Sequence, residues 1–367
     1  MRNKHIFFCV RKNFLEASGG DTDQALTWKA VLEQLGNHVT ILYGNVKEED
    51  LREADCVFIW HLERPHESFP QFLAAKRARK SVFLVPTCYH DPGGLTAGKI
   101  MREQLAQWVR ALLLFPGETS GILFRHLWKD ARKAMLCGSD RILVNSQSEA
   151  DLLISEGADP AKVLCIPNVI REAEIGAVER KAWKERSGIV CIGHFCPRKN
   201  QLALIEALAG TDLTVTFVGT ARPMHRAYFR YCRKKAGSRH HCPGRLPHGE
   251  VLKLLAYARL CICVSRVETP GISNLEAGAL GCKLLLPKIP PIEEYFQSFA
   301  DYFDPDHIDP AVIVKAAEKE PSPQLRERIG ELYTQEAVRK IFDSLQIFAP
   351  PPVQKDPLPE TEGENVR

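Results

Sequence analysis

The segment LCICVSRVETPGISNLEAGALGCKLLLP, residues 260–287, joins two short apolar runs through a loop and a predicted helix. The runs LCICVS (260–265) and CKLLLP (282–287) have the length and composition of buried strands, and a helix is expected near 273–281. A strand, a helix and a second strand in this order are the unit from which parallel sheets are built. The segment therefore predicts an α/β fold.

The same alternation of apolar runs and helical patterns extends along both halves of the chain. Further strands are predicted at HIFFCV, HVTILYG, CVFIW, SVFLVPT, RILVNS and VLCIPN in the first half, and at GIVCIGH and LTVTFVG in the second. Helices are predicted near 22–35, 68–80, 98–114, 119–137, 147–156, 199–210, 222–236 and 248–258.

A chain of 367 residues is too long for one ordinary core and suits two Rossmann-like domains that face each other across a cleft. Beyond residue 320 the pattern is helical only, and the end of the chain is proline-rich and polar. We expect a first domain at 1–168, a charged crossing at 169–187, a second domain at 188–325, helices at 326–348 and a disordered tail at 349–367.

The composition is that of a soluble globular protein, with 45% apolar and 26% charged residues. A net charge of +4 does not call for a nucleic acid partner. The apolar run in MRNKHIFFCVRKNF is too short for a signal peptide or a membrane span. Many of the twelve cysteines stand singly inside apolar runs, which is typical of buried thiols in a reducing compartment. We therefore expect a cytoplasmic protein.

The sequence lacks the motifs of several common classes of α/β protein. No G-x-G-x-x-G follows the first strand, and neither the P-loop G-x-x-x-x-G-K-[ST] nor the hydrolase G-x-S-x-G occurs. The cluster Cys232, His240, His241 and Cys242 has no paired spacing of zinc ligands, so we expect no metal site.

Candidate ligand-binding residues follow two strands of the second half. Arg198 and Lys199 come after GIVCIGH at the start of a predicted helix, where cations and backbone amides suit a diphosphate; a solvated basic turn is the alternative. Gly271 and the amides near 273–275 offer a second anion site after LCICVS. Ser273 and Glu276 have the spacing of a capping box, which explains Glu276 and leaves Glu268 unexplained.

The second half closely resembles the retaining GT-B glycosyltransferases called glycosyl transferases group 1, or glycosyltransferase family 4. The resemblance is carried by IVCIGHFCPRKN, VTFVG, CPGRLPHGEVLKLLAYARLCICVS and ETPGISNLEAGALG, and Glu268 and Glu276 match the family's pair of glutamates separated by seven residues. The first half matches more loosely, through Gly19-Gly20 before a long helix, VPTCYHD ending near His90, and SDRILVNSQSEADLL leading to KVLCIPNV.

The resemblance implies a fold and an activity. The fold is GT-B, with a C-terminal helix that returns to the first domain. The activity is transfer of a sugar from a nucleotide diphosphate sugar, with UDP or GDP as the expected nucleotide, to a hydroxyl acceptor with retention of configuration. Neither a metal nor another cofactor is expected, and the choice between a front-face and a double-displacement route stays open.

The resemblance also implies roles for individual residues. Glu268, Lys199 and His90 would act at the reacting sugar and its diphosphate, and Glu276 would accept the ribose hydroxyls. Further donor contacts would come from the Gly19-Gly20 loop, from Arg198, from Gly244, Arg245 and Leu246 beside the base, and from the backbone of Gly271, Ile272, Ser273, Asn274 and Leu275. Two departures from the family pattern are His194, where arginine is common, and Pro270 in the loop after Glu268.

Other interpretations stay open at this point. A nucleotide-sugar epimerase on the same fold would release free sugar and nucleotide without an acceptor, and a catalytically silent protein would only bind sugar nucleotide or glycan.

Four basic residues fall at helical spacing in a stretch without acidic residues, namely Arg226, Arg230, Arg233 and Lys234. They form either a solvated face or a contact with a charged glycan or an anionic membrane. The stretch with Trp108 and Trp128 is either packed helix or a membrane-facing part. A role in surface polysaccharide or lipopolysaccharide assembly, on a glycan or lipid-linked acceptor, is expected from the family's commonest work.

Overall fold

The computed structural model describes residues 3–16, 19–87 and 121–344. Two six-stranded sheets, each wholly parallel, organise these residues. The first sheet has the order β2-β1-β3-β4-β5-β6. Its strands are β1 (His5–Val10), β2 (His38–Tyr43), β3 (Cys56–Trp60), β4 (Ser81–Val85), β5 (Arg141–Val144) and β6 (Val163–Cys165).

The second sheet has the order β12-β11-β10-β7-β8-β9, the arrangement of a doubly wound dinucleotide-type domain. Its strands are β7 (Ile189–Ile192), β8 (Val215–Val218), β9 (His241–Gly244), β10 (Leu260–Ile262), β11 (Lys283–Pro287) and β12 (Asp301–Phe303). The predicted two-domain α/β fold is confirmed.

Helices cover both faces of each sheet. In the first domain they are α1 (Gly20–Gln34), α2 (Pro65–Arg77), α3 (Gly121–Gly138) and α4 (Gln147–Ser155). A short helix α5 (Glu172–Gly176) lies in the crossing. The second domain contains α6 (Gln201–Ala207), α7 (Arg226–Ala236), α8 (His248–Tyr257), α9 (Ile272–Ala279), α10 (Pro290–Phe296) and α11 (Pro310–Glu318). The chain continues through α12 (Pro323–Leu332) and α13 (Gln335–Ser344).

The first strand shows why continuous apolar runs form these sheets. Side chains alternate between the two faces of a strand, and both faces of this sheet are covered by helices. Phe8 packs with Trp28 of α1 on one face, whereas Phe7 belongs to the cluster with Phe72 of α2 on the other. A strand between two helical layers therefore has to be apolar at every position.

The last helix returns to the first domain, as the resemblance implied. Val338 and Phe342 of α13 are buried in the cluster around Trp28. The rings of Trp28 and Phe342 meet edge to face with centroids 5.4 Å apart. The chain passes between the domains twice. The two passages are adjacent, because the Ile170 amide donates to the Tyr333 carbonyl at 2.9 Å. The Glu172 carboxylate also accepts from the amide of Gln335 at 3.0 Å, at the start of α13.

A second contact between the domains is made by Tyr295 of α10. Its hydroxyl donates to the Asn145 carbonyl at 2.5 Å and accepts from the Asn168 amide at 2.9 Å. Next to it, the Glu294 carboxylate accepts from the amide of Gln147 at 2.7 Å, at the start of α4. Acidic groups are favourable at a helix start, so this contact stabilises the junction through the helix dipole as well.

The structure differs from the sequence expectations mainly at the sheet edges. β9 and β12 were not predicted, and neither were α10 and α11. The predicted helix near 98–114 and the predicted tail at 349–367 lie outside the described residues. The predicted domain boundaries stay a prediction. In the described part of the chain every cysteine is a free thiol.

Phe342→Ala should destabilise the protein by about 3 kcal/mol, because it removes a buried ring from the cluster around Trp28. Urea unfolding followed by tryptophan fluorescence measures the change. Lys340→Ala is the matched control on the same helix, since its side chain is 73% exposed, and it should change the free energy of unfolding by less than about 0.5 kcal/mol. Equal effects of the two substitutions would contradict the packing of α13 on the first domain.

Candidate functional site

The candidate site lies where the strand order of the second sheet reverses. β7 and β10 are neighbours in the sheet, but the chain leaves them toward opposite ends of the strand order. In open parallel sheets this reversal leaves a crevice at the carboxyl ends of the two strands, and ligands bind there. Lys199 follows β7 and Glu268 follows β10, so the structure brings both predicted residues to this crevice.

Lys199 and Glu268 form a buried ion pair. The ammonium group of Lys199 contacts Oε2 of Glu268, and the Ser265 hydroxyl donates to the same oxygen at 3.0 Å. Glu268 is only 5% exposed. Burial lowers the pKa of Lys199, but the Glu268 carboxylate outweighs this effect and the net pKa is raised. Lys199 is therefore a cation when the crevice is empty.

Arg198 lies beside this pair and is oriented by backbone. Its Nη1 donates to the Val267 carbonyl at 2.7 Å and lies 3.9 Å from Oε1 of Glu268. Residues 197–199 form a single 3-10 turn, and Asn200 then adopts a left-handed conformation with φ of 57° before α6 begins. Arg198 and Lys199 thus precede a helix, as predicted, and the structure adds that they lie on a tight turn.

Two glycines allow the carboxyl ends of β7 and β8 to approach closely beside the crevice. A Cβ atom on Gly219 would lie 2.1 Å from the Gly193 carbonyl oxygen, a contact that backbone cannot relieve. Gly193 itself has φ of 152°, and a Cβ there would lie 3.7 Å from the Lys199 side chain. His194 follows and its Nδ1 lies 3.3 Å from the Thr220 carbonyl. Close backbone approach between the ends of β7 and β8 therefore requires glycine at position 219.

The predicted capping box at Ser273 and Glu276 is wrong. Helix α9 begins at Ile272 with Gly271 as N-cap and without a side-chain cap. Gly271 has φ of 78°, which starts the helix earlier than the sequence pattern indicated and places Ser273 inside the first turn. The amides of Asn274 and Leu275 bond to the Gly271 carbonyl. The first two amides of the helix, on Ile272 and Ser273, are thus the ones that helix geometry leaves for a ligand.

Glu276 has a partner that the sequence did not indicate. Its Oε1 lies 2.7 Å from Nε2 of His248, the first residue of α8, and Glu276 is 6% exposed. Nδ1 of His248 lies 2.6 Å from Oε2 of Glu174. The hydrogen bond to Glu276 raises the pKa of His248 to about 9, while burial opposes the shift and Glu174 adds to it.

The glycine loop of the first domain faces the start of α9. Gly19 is the N-cap of α1, and Gly20 is the first residue of that helix. A Cβ on Gly20 would lie 3.9 Å from the Ile272 side chain, and one on Gly19 would lie 3.9 Å from Nη2 of Arg222. The predicted loop therefore adjoins the second domain beside the crevice. His90 lies outside the described residues.

A polar cluster that sequence reasoning missed lies at the corresponding strand ends of the first sheet. Asp21 accepts from Nε of Arg11 at 2.9 Å and lies 3.0 Å from Nε2 of His61. Thr87 Oγ1 lies 2.8 Å from Nδ1 of the same imidazole. Burial disfavours the Asp21 anion, but the contacts with His61 and Arg11 prevail and lower its pKa. His61 and Thr87 have φ of 73° and 47°, and such strain is typical of functional segments.

The segment expected beside the base contains the end of β9. The Gly219 amide donates to the Gly244 carbonyl at 2.8 Å, and Gly244 has φ of 86°. Arg245 is exposed, and Leu246 is half-buried against the core cluster that contains Leu275. These residues are held at the edge of the sheet next to β8.

No group of three or more potential metal ligands occurs within residues 3–16, 19–87 and 121–344. In the cysteine and histidine cluster considered above, Cys232 is buried in the core. Nδ1 of His240 accepts from the Val215 amide at 3.3 Å.

Comparisons with known proteins agree with this fold. Residues 178–331 match the family model described as Glycosyl transferases group 1. No curated protein sequence matches the chain. Among solved structures, sucrose-phosphate synthase from Thermosynechococcus elongatus superposes with a TM-score of 0.67 at 14% identity, covering 94% of this chain and 98% of that one.

Two further structures share the fold. HepE of Anabaena in complex with UDP-glucose has a TM-score of 0.67 at 14% identity, covering 93% of this chain and 98% of its own. The lipopolysaccharide outer core galactosyltransferase WaaB has a TM-score of 0.57 at 13% identity, with 92% and 98% covered. The predicted resemblance to group 1 and the predicted GT-B architecture are confirmed.

Lys199→Met should lower the free energy of unfolding by about 3 kcal/mol or more, because it removes the ammonium group that contacts the buried Glu268 carboxylate and leaves Arg198, 3.9 Å from the other oxygen, as the cation beside it. Chemical denaturation measures the loss. The double variant Lys199→Met/Glu268→Gln should recover much of it, since both charges are then absent. A single variant as stable as the wild type would show that the pair is not buried in solution.

Proposed function

We propose that this protein is a glycosyltransferase, because its residues 178–331 match the family model described as Glycosyl transferases group 1. The protein transfers a sugar from a nucleotide diphosphate sugar to a hydroxyl acceptor with retention of anomeric configuration. The observation that carries the proposal is the buried Lys199–Glu268 pair at the reversal point of the second sheet, next to the first amides of α9.

Lys199 and Arg198 would bind the diphosphate. The leaving group gains negative charge as the bond between the sugar and the phosphate breaks, and a fixed cation near it lowers the barrier. The amides of Ile272 and Ser273 would add the positive end of a helix. Because these groups supply positive charge, we propose that transfer does not require a metal.

Glu268 would contact the transferred sugar. The acceptor hydroxyl oxygen would form its bond to the anomeric carbon on the face that the phosphate leaves, and a phosphate oxygen would take the hydroxyl proton. Glu268 would orient sugar hydroxyls and balance positive charge at the reacting carbon. The Gly19-Gly20 loop and His90 would close the site from the first domain.

The remainder of the donor would lie along the second domain. Glu276 would accept the ribose hydroxyls, the backbone of Gly271 to Leu275 would line the sugar and phosphates, and the base would lie against Gly244 to Leu246. UDP is our first candidate nucleotide, because HepE was solved with UDP-glucose on a similar fold, and GDP is the second.

We also propose a cytoplasmic role in the assembly of surface polysaccharide or lipopolysaccharide. The structural likeness to WaaB supports this pathway. Within the described residues no helix has the length and apolar character needed to span a bilayer.

A thermal-shift panel of UDP-, GDP- and ADP-sugars tests the donor site, because a ligand that binds only the native state raises its stability. One nucleotide series should raise the melting temperature. Glu268→Gln should lower sugar transfer, measured as nucleotide release, by about 100-fold or more, a loss typical for one electrostatic group at a reacting centre.

Glu250→Gln is the matched control, because Glu250 is exposed on α8. A panel without any response would contradict the donor site. Equal turnover of Glu268→Gln and wild type would contradict the catalytic assignment. Release of free sugar that does not increase with any acceptor would instead favour an epimerase or hydrolase.

The exposed face of α7 is our candidate membrane contact. Arg226, Arg230 and Lys234 point to solvent, while Cys232 is buried on the opposite side. Among the described residues these three cations form no ion pair with a carboxylate. Tyr231 of the same helix is 46% exposed and can enter the interfacial region of a bilayer. We propose that this face binds the anionic surface of a membrane.

Replacing Arg226, Arg230 and Lys234 by Gln should weaken binding to vesicles that contain phosphatidylglycerol by about 100-fold, at roughly 1 kcal/mol for each basic residue. Vesicle co-sedimentation measures the change. Substitution of the exposed Lys76, Arg77 and Lys315 by Gln changes the net charge equally and should have a small effect. A wild type that does not bind anionic vesicles would contradict the membrane contact and leave a solvated face or a charged glycan as the alternatives.

A further inference from the structure

His248 lies between two carboxylates of different elements. Its Nε2 is 2.7 Å from Glu276 of α9, and its Nδ1 is 2.6 Å from Glu174 of α5. A neutral imidazole has one N–H group and can donate to only one of these oxygens. Both short contacts therefore call for the imidazolium form, in agreement with a pKa of about 9.

The ion pair continues from Glu174 into the first domain. Oε1 of Glu174 accepts from Nη1 of Arg171 at 2.9 Å. Nη2 of Arg171 donates to Oδ1 of Asp23 at 2.9 Å. Asp23 lies in the first turn of α1, three residues after Gly20. Charges of alternating sign thus join the start of α1 to Glu276 through the crossing between the domains.

We propose that His248 is a positioning residue for donor binding. It holds one oxygen of Glu276 so that the other can accept the ribose hydroxyls, and it couples that carboxylate through Glu174 and Arg171 to the helix that follows the glycine loop. This inference rests on the proposed function, because Glu276 has a ribose to bind only if the donor is a nucleotide sugar.

Two physical effects support this role. A carboxylate whose torsion is already fixed loses less freedom when the ribose arrives, so more of the hydrogen-bond energy appears as affinity. In addition, Glu276, Glu174 and Asp23 are three carboxylates whose mutual repulsion His248 and Arg171 reduce. Loss of the imidazolium charge would strengthen this repulsion at the moment when an anionic donor approaches.

The sign of the pH dependence follows from the groups that face His248. They are Glu276 and Glu174, with Arg171 one contact further and Asp23 two contacts further. His248 is charged in the folded protein up to about pH 9, compared with an ordinary pKa of about 6.5. Its contribution to folding stability is therefore complete below about pH 6.5 and is lost as the pH rises through about 9. Donor affinity should be highest below pH 9 and should fall above it.

His248→Gln should raise the Kd for the nucleotide sugar selected by the panel, with UDP-glucose as the first probe, by about tenfold or more. That factor is typical of losing one hydrogen bond to a charged group. The turnover number at saturating donor should change by less than about threefold, because His248 is placed away from the reacting carbon. His241→Gln, at an exposed histidine of β9, is the matched control and should bind like the wild type.

Two pH measurements separate positioning from a merely structural role. The wild-type Kd should rise as the pH passes about 9, and this rise should be absent in His248→Gln. NMR titration without nucleotide should give His248 a pKa near 9 in the wild type and a value closer to the ordinary one in Glu276→Gln.

The outcomes are distinguishable. If His248→Gln melts earlier but binds the donor with wild-type affinity and pH dependence, His248 is only structural and the inference is overturned while the proposed function stands. If the wild type binds no nucleotide sugar, the proposed function fails and the inference fails with it, whatever the NMR titration gives. A tenfold loss in His248→Gln with an unchanged control supports both.

Discussion

The reversal of strand order between β7 and β10 is the constraint on which the rest of the molecule depends. Because the chain turns away from these strands toward opposite ends of the sheet, their carboxyl ends cannot be covered by one helix connection. The loops that follow the two strands lie at this opening, and Glu268 is only 5% exposed there. A lysine and a glutamate can be buried there only as a pair, and that pair then fixes the geometry of both loops.

The fold was predictable from sequence patterns that burial imposes on the central strands. Central strands such as HIFFCV are apolar at each buried position because helices cover both faces of the sheet, so they stand out in the sequence. The edge strands do not. HCPG contains a proline and a glycine and DYF has three residues, and both pair with only one neighbour. Their conformation is imposed by the adjacent strand rather than by local propensity.

The site was predictable where a residue follows a strand and unpredictable where it depends on packing between helices. Lys199 and Glu268 lie directly after β7 and the β10 segment, and the topology brings such positions together. His248 contacts Glu276 only because the start of α8 is adjacent to α9 in space. Hydrophobic periodicity in the sequence does not indicate that contact. The capping box failed for a local reason, because Gly271 adopts a positive φ and starts the helix before Ser273.

The balance of cations and carboxylates around the crevice influences which class of ligand can bind there. Lys199, Arg198, Arg171 and His248 lie beside Glu268, Asp23, Glu174 and Glu276, four cations to four carboxylates, so the contacts described here carry no surplus of positive charge. An anion alone would gain little by entering, since each cation would have to share its carboxylate. A ligand that also brings hydroxyl groups can donate to those carboxylates while its phosphates contact the cations and helix amides. Paired charges therefore favour a molecule with both hydroxyl and phosphate groups over free phosphate.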